Sequence, residues 1–521
     1  MTSLPDDRQQ PSPHAQAGNG LNRRFDFTTD LPAADSLGSV HFIAIGGAGM
    51  SGVARVMLAR GLKVSGSDAK ESLVLTALVT EGATVHVGHD ASHLEGADTV
   101  VISSAIRESN VELREARSRG LRVLHRAQAL AVVMQGSRRV AVAGANGKTT
   151  TTSMLVVALQ HCGVDPSFAV GGELAKHGTN AHHGAGDIFV AEADESDGSF
   201  LVYRPEVAVV TNVQPDHLDF YGTFEAVQSA YATFAATVAP NGLLVTCEDD
   251  PGSRALVEVA MAAGTRVVTY GLAPEADVRL TDIGGVGLHA HAQLTRAGRG
   301  AIGSSAGSAF LGRLEIGMPG RHNLLNATAA FVAATDGLGQ DPARVLQGLA
   351  GYTGTRRRFE AKGEVAGVRV VDDYAHNPGK VAAVVETAST LADPGRLIVV
   401  FQPHLYSRTR DFAAELATAL SPADIVIVMD VYAAREDPMP GVSGALVTDQ
   451  LLREPGRGEK GSGSVRFVPS WSDVAPLVSG MARAGDLVVT VGAGDVTMIG
   501  PEILRLLGGG PDATAAVARP Q

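Results

Sequence analysis

The chain has 521 residues, enough for about three domains, and its apolar fraction of 45% is that of a globular protein. A formal net charge of −12 with no strongly basic run argues against nucleic acid as a partner. Only Cys162 and Cys247 occur, no signal peptide opens the chain and no apolar run nears the roughly 18 residues of a span, so a cytoplasmic protein without disulfides or membrane insertion is expected.

Residues 1–35 are polar and aperiodic, the pattern of a disordered tail. Residues 40–45 read as a buried strand, followed by Gly46-Gly47-Ala48-Gly49-Met50-Ser51-Gly52, in which Gly47, Gly49 and Gly52 match G-x-G-x-x-G. A helix is expected over about 50–60 and a second strand over 63–68, ending in Asp68. Taken alone this is a dinucleotide fingerprint with Asp68 on a ribose hydroxyl, yet the physics demands only a diphosphate at a helix N-terminus, and a nucleotide sugar meets it equally. Strand signals at 84–87, 99–105 and 122–124 complete a Rossmann-like α/β domain over 36–137. Its strand ends, including Ser103, Ser104 and Ala105, should face the ligand.

A second domain, 138–355, opens on an apolar strand running into Gly144-Ala145-Asn146-Gly147-Lys148-Thr149-Thr150 and a helix to about 162. That is the layout of a phosphate-binding loop. Glycines let backbone N–H groups turn toward phosphate, Lys148 reaches the terminal phosphates and Thr149 offers a hydroxyl to Mg2+. The general pattern has Gly where Val142 stands, and the bland alternative is a turn plus cap. Strands over 187–191 and 206–212 end in Glu192-Ala193-Asp194-Glu195-Ser196-Asp197 and near Asp216-His217-Leu218-Asp219. Parallel strands deliver such ends to one crevice, so Thr149, Glu192 and His217 should meet around metal and phosphates. A solvated acidic loop and a turn histidine are the alternatives. Residues 273–310 give only weak strand signals and a Gly/Ser-rich piece, 298–308. Asn323 and Asn326 then lie on one face of an alanine-rich helix, where amides can read a base edge or Asn323 can cap.

Arg356, Arg357 and Arg358 mark the passage into a third domain, 356–508. They form a solvated face or serve a polyphosphate. Strands over 368–371, 397–401, 425–429 and 487–491 each end in polar residues, again one functional rim. Residues 453–464 read as a charged loop and 509–521 as a flexible tail.

Together these motifs, with Arg321-His322-Asn323, Asp372-Asp373-Tyr374-Ala375-His376 and Gln402-Pro403-His404, resemble the Mur ligases, ATP-dependent ligases of peptidoglycan synthesis, over about residues 36–507. The resemblance implies three domains that bind a UDP-sugar, ATP and an amino acid, the third closing over the ATP. It also implies amide formation between L-alanine and the carboxylate of UDP-N-acetylmuramate through an acyl phosphate, with Mg2+ as cofactor and Mn2+ able to substitute. By matched position, Thr149, Glu192 and His217 hold metal, Lys148 neutralises the transferring phosphoryl group, and His376 lies near the acyl phosphate. ATP falls to Gly144 through Thr150, His322, Asn323, Asn326, Arg356 and Asp373. UDP-N-acetylmuramate falls to Gly47, Ala48, Gly49, Met50, Ser51, Asp68, Ser103, Ser104, Ala105, Arg126 and Asn180. Tyr374, His404 and Arg408 frame the amino acid, and a monomer or weak homodimer is expected.

Three positions depart from the family pattern. Ala145-Asn146 stand where Gly-Thr-His or Gly-Thr-Asn is usual before Gly-Lys, His376-Asn377-Pro378 stands where alanine-adding members carry His-His-Pro, and Leu405 stands where many relatives have arginine. Rival readings are a ligase that recycles a tripeptide onto the same sugar nucleotide, a NAD-dependent dehydrogenase built on the first domain, and a silent paralogue that only binds nucleotide.

Overall fold

The computed structural model describes residues 24–174, 178–297, 309–434, 436–455 and 464–509. The predicted tails up to residue 23 and from 510, the 298–308 piece and most of the 453–464 loop lie outside the described residues.

Five parallel strands, β1 Val40–Ile43, β2 Val64–Asp68, β3 Thr84–Val87, β4 Thr99–Ile102 and β5 Arg122–His125, form the first sheet in the order β3-β2-β1-β4-β5. β1 and β4 are buried at every position, as central parallel strands covered on both faces must be. The order reverses between β1 and β4, which puts a ligand crevice beyond their C-terminal ends.

The disorder expected for residues 1–35 does not hold for residues 24–35, where the chain is packed. Phe25 and Phe27 are buried with ring centroids 5.0 and 5.2 Å from His125, and Gln128 Nε2 donates to the Asp26 carbonyl at 3.0 Å. Two aromatic anchors outweigh a polar composition.

The second sheet has ten strands: β6 Arg138–Ala143, β7 Ser167–Leu174, β8 Thr179–His182, β9 Ile188–Glu192, β10 Val207–Val210, β11 Leu243–Cys247, β12 Arg266–Gly271, β13 Val278–Val286, β14 His289–Arg296 and β15 Ala309–Ile316. Their order is β15-β14-β13-β12-β11-β10-β6-β9-β7-β8. β6 pairs in parallel with both β9 and β10, so the chain leaves β6 at a switch point. The weak signal over 273–310 resolves into β13, β14 and β15, of which β14 and β15 pair antiparallel across a bulge at Leu294/Thr295.

These two sheets belong to one compact unit, so the predicted boundary at 137/138 separates sheets rather than compact units. The Arg126–Val133 helix is buried from Ala127 through Val133, Gln128 being the one polar residue of that stretch, and one hydrophobic cluster runs from Phe25 to Ala260.

The second compact unit begins its long run at Gly354. Its strands are β16 Glu360–Val365, β17 Val368–Asp373, β18 Leu397–Phe401, β19 Ile425–Val428, β20 Val465–Phe467 and β21 Leu487–Val491, ordered β16-β17-β21-β18-β19-β20. Only β16 is antiparallel to its neighbour. Among the described residues, no helix is long and apolar enough to cross a membrane.

Candidate active site

The phosphate loop leaves β6, whose last four positions are all buried, and enters the Lys148–His161 helix. Gly144 (φ +134°) and Gly147 (φ +87°) both hold backbone that L side chains rarely adopt. A Cβ on Gly144 would lie 2.0 Å from Thr211 Oγ1, and one on Gly147 2.3 Å from Asn326 Oδ1. The backbone N–H groups of Ala145 and Asn146, in the loop expected to hold ATP, are engaged within the protein. Asn212 takes both, its carbonyl accepting from Ala145 N at 3.3 Å and its Oδ1 from Asn146 N at 2.9 Å. The first turn of the helix at Lys148 also carries N–H groups that have no intrahelical acceptor, as at any helix start.

Lys148 Nζ donates to the Gly144 carbonyl at 2.6 Å and to Glu195 Oε1 at 2.7 Å. Burial opposes its charge, but Glu195, Asp194 and Glu192 outweigh burial and hold the ammonium above its ordinary pKa. Thr149 Oγ1 donates to Glu192 Oε1 at 3.0 Å, and Glu192 Oε2 accepts from Gly171 N at 2.7 Å. His217 Nε2 lies 3.6 Å from Glu195 Oε1, so the two polar strand ends do converge. Glu195 is 2% exposed, its Oε2 buried without a hydrogen-bond partner. Nothing in the sequence singles out Glu195, because spacing along a six-residue loop does not say which of four carboxylates turns toward the lysine.

Among the described residues no three His, Cys, Asp or Glu side chains are pre-arranged to hold a metal ion. The donors present are a hydroxyl, two carboxylates and a neighbouring imidazole. That set suits Mg2+, which takes one or two carboxylates and completes its shell with water and substrate phosphates.

Asn323 and Asn326 are buried side by side, but Asn326 braces the loop. Thr151 Oγ1 donates to its Oδ1 at 3.3 Å, its Nδ2 faces Asn323 Oδ1 at 3.5 Å, and it packs on Gly147.

In the first domain the glycine loop leads into the Ala48–Ala59 helix, and Asp68 Oδ2 accepts from Gly46 N at 2.9 Å. Arg126 lies over Gly49, where an added Cβ would be 2.7 Å from its Nη1, and its Nη2 reaches Asp194 Oδ2 at 3.4 Å. Met50 and Ser51 are buried, Met50 in the hydrophobic cluster and Ser51 Oγ donating to the Ala48 carbonyl at 3.1 Å. Only their backbone is thereby left for the ligand expected of them. Asn180 is engaged at both ends, donating to the Ala48 carbonyl at 2.7 Å and accepting from Arg55 at 3.2 Å, so it holds the glycine loop's helix. Ser103 and Ser104 are half-buried and Ala105 exposed, just past β4.

In the C-terminal unit an aromatic row stands on three strand ends. Ring centroids are 5.2 Å apart for Tyr374 and His376, 5.4 Å for His376 and His404, and 6.0 Å for His404 and Tyr432. Burial holds His376 well below the ordinary imidazole pKa, with Lys380 and Arg408 adding to it. His322 is likewise pushed down by burial, to about 4. Asp373 uses one oxygen for Phe359 N at 2.8 Å and the other for Ala375 N at 2.7 Å, and burial raises its pKa. Of the three arginines, Arg356 is exposed, while Arg357 is structural. Its guanidinium reaches the Gly492 and Gly494 carbonyls at 2.8 and 2.9 Å and lies 4.7 Å over the Tyr374 ring.

A glycine loop on a strand-helix turn at a sheet's switch point, its lysine and threonine facing carboxylates, defines an α/β protein of the phosphate-loop, mononucleotide-binding class. Comparison with known proteins narrows the class. Residues 39–138 match the Mur ligase family catalytic domain, 142–334 the Mur ligase middle domain and 357–494 the Mur ligase glutamate ligase domain. The chain belongs to the Mur ligase family. It is 53% identical to the UDP-N-acetylmuramate-L-alanine ligase of Renibacterium salmoninarum over 473 residues (91% of this chain, 97% of the relative), and 53% identical to that of Kineococcus radiotolerans over 474 residues (90% and 96%). The crystal structure of the UDP-N-acetylmuramate-alanine ligase of Thermotoga maritima superposes with a TM-score of 0.72 at 27% identity, covering 90% of this chain and 98% of that one.

Proposed function

We propose that the chain is an ATP-dependent ligase that joins the amino group of L-alanine to the carboxylate of UDP-N-acetylmuramate, releasing ADP and phosphate, in peptidoglycan precursor synthesis. The observation that carries the reading is the Lys148–Glu195 and Thr149–Glu192 pairing on the phosphate loop, in a chain more than half identical over nine tenths of its length to ligases of that name.

A carboxylate does not accept an amine until one oxygen becomes a leaving group, so the reaction must first move the γ-phosphoryl of ATP onto the muramyl carboxylate. Lys148 neutralises the phosphoryl group in transit. Thr149, Glu192 and His217 would hold Mg2+, with Mn2+ able to replace it, and the ion when bound spreads the charge of the phosphates. Residues 36–137 would bind the sugar nucleotide, with Arg126, which lies over Gly49, as the cation nearest its glycine loop. Residues 138–355 would bind ATP, Glu195 accepting from Lys148 until phosphate replaces it. Residues 356–508 would supply the amino-acid pocket, with Tyr374 and His404 as its walls and Arg408 as the cation for the alanine carboxylate. His376, whose charged form burial disfavours, would lie near the acyl phosphate. The protein would work in the cytoplasm as a monomer or weak dimer.

The test is phosphate release from ATP in the presence of UDP-N-acetylmuramate, with L-alanine, glycine, L-serine or L-alanyl-γ-D-glutamyl-meso-diaminopimelate added in turn. Fastest release with L-alanine is expected. Release with the tripeptide alone would make the chain a recycling ligase, and none with any acceptor would end the ligase reading.

A further inference from the structure

The acidic loop between β9 and residue 198 faces two ways. Glu192 and Glu195 turn toward the phosphate loop, at 3.0 Å from Thr149 and 2.7 Å from Lys148. Asp194 and Asp197 turn back to the first domain, Asp194 to Arg126 at 3.4 Å and Asp197 to His125 Nε2 at 3.3 Å and to the Ser104 hydroxyl.

The second of these contacts is built rather than incidental. His125 is 1% exposed at its side chain and Asp197 15%, so the pair is shielded from water. His125 Nδ1 accepts from Ala127 N at 3.2 Å, which places the proton of the neutral ring on Nε2, facing Asp197 and, at 3.1 Å, Ser104 Oγ. The rings of Phe25 and Phe27 hold the imidazole in that orientation. Asp197 Oδ1 in turn accepts from Ser199 N at 3.1 Å and so fixes the end of the loop. Burial alone would raise the Asp197 pKa, but the bonds from His125, Ser104 and Ser199 outweigh it and keep the group ionised. The partners sit at the ends of β4 and β5, the edge that should face the sugar nucleotide, and Arg126, next to His125, lies over the glycine loop.

We propose that His125 and Asp197 are positioning residues for the ligase reaction. They lock the loop bearing Glu192 and Glu195 to the strand ends that hold the nucleotide sugar, and so set the distance between its carboxylate and the phosphoryl group it attacks. The inference rests on the function proposed above. Neither residue needs to touch a ligand, so their loss should act on turnover rather than on binding. A misplacement of about 1 Å between reacting groups costs roughly a hundredfold in rate.

The experiment compares Asp197→Ala, Asp197→Asn, His125→Leu and His125→Gln with the unaltered enzyme. It measures kcat with ATP, UDP-N-acetylmuramate and L-alanine, and separately the Kd of UDP-N-acetylmuramate and of a non-hydrolysable ATP analogue by titration calorimetry. Expected for Asp197→Ala is a kcat loss of roughly a hundredfold with each Kd within about threefold, and for His125→Gln, whose amide N–H can replace Nε2–H, near-normal kcat. His125→Leu and Asp197→Asn should be non-additive when combined. If His125→Leu does not fold, Asp197→Ala and Asp197→Asn still decide. A kcat within threefold of normal in Asp197→Ala overturns the proposal, as does a kcat loss matched by equal losses in both affinities, which would mark plain structural support. No turnover by the unaltered enzyme would instead overturn the ligase reading.

Discussion

Replacing Glu195 by glutamine tests how the phosphate loop is charged before nucleotide arrives. Glu195 Oε1 is 2.7 Å from Lys148 Nζ, and the side chains are 3% and 14% exposed. At that distance the pair attracts by about 6 kcal/mol at an effective dielectric near 20. The amide retains one hydrogen bond of about 1 kcal/mol, and the Gly144 carbonyl stays within 2.6 Å of the ammonium, so the expected net destabilisation is about 3 kcal/mol. ATP should return most of it, because its phosphates bring the missing negative charge to Lys148. The assay is thermal unfolding of both proteins with and without ATP and Mg2+. The variant should melt lower without nucleotide, and ATP should raise its melting temperature by more than it raises that of the unaltered protein. Equal melting without nucleotide, together with equal shifts on adding it, would refute the argument that Glu195 is the ground-state partner of the lysine.

Thr149→Val removes the hydroxyl that reaches Glu192, and the Mg2+ concentration for half-maximal phosphate release should rise roughly tenfold while the protein stays folded by circular dichroism. His41 is fully buried, and burial, against the pull of Glu112, lowers its pKa to about 4. Because the unfolded chain takes up that proton near pH 6.5 and the folded one does not, stability is complete above about 6.5 and falls as pH drops toward 4, by about 1.4 kcal/mol per pH unit. Unfolding free energies from urea titrations at pH 6.5 and 5.5 should differ by about 1 kcal/mol through this group, and by less in His41→Asn. Arg357→Ala should cost the C-terminal unit about 2–4 kcal/mol, with Arg357→Lys recovering less than half, since an ammonium cannot span the carbonyls that the guanidinium reaches; differential scanning calorimetry measures both.

The parallel strands were legible because each is a short run of β-branched residues ending in polar ones. The sequence range 397–401 and the observed β18 coincide, and β9 and β10 start and end within two residues of the expected limits. β14 and β15 were not, because antiparallel strands exposed on one face alternate with polar residues and β15 carries Gly312 at φ +139°. At the site, residues presented by strand ends were legible as groups, and Thr149, Glu192 and His217 do stand near one another around Lys148 and Glu195. What each side chain does there depends on the turn that aims it. Asn326 was read with Asn323 as a reader of a base because three-residue spacing shares a helix face. Yet that face looks onto Gly147, and a glycine with no room for a Cβ is a place where a neighbouring side chain is already seated. Arg357 reads in the sequence as one of three like charges, and nothing in the run shows that it meets the carbonyls of the turn at 492–494, more than 130 residues on. Composition and period therefore locate the rims of these sheets, while the division between residues that meet a ligand and residues that brace those residues is made by long-range contacts. The acidic loop shows why the distinction matters chemically. Two of its four carboxylates, the glutamates, face the phosphate loop and two, the aspartates, face the first domain, so carboxylates only one or two positions apart serve neutralisation in one case and registration in the other.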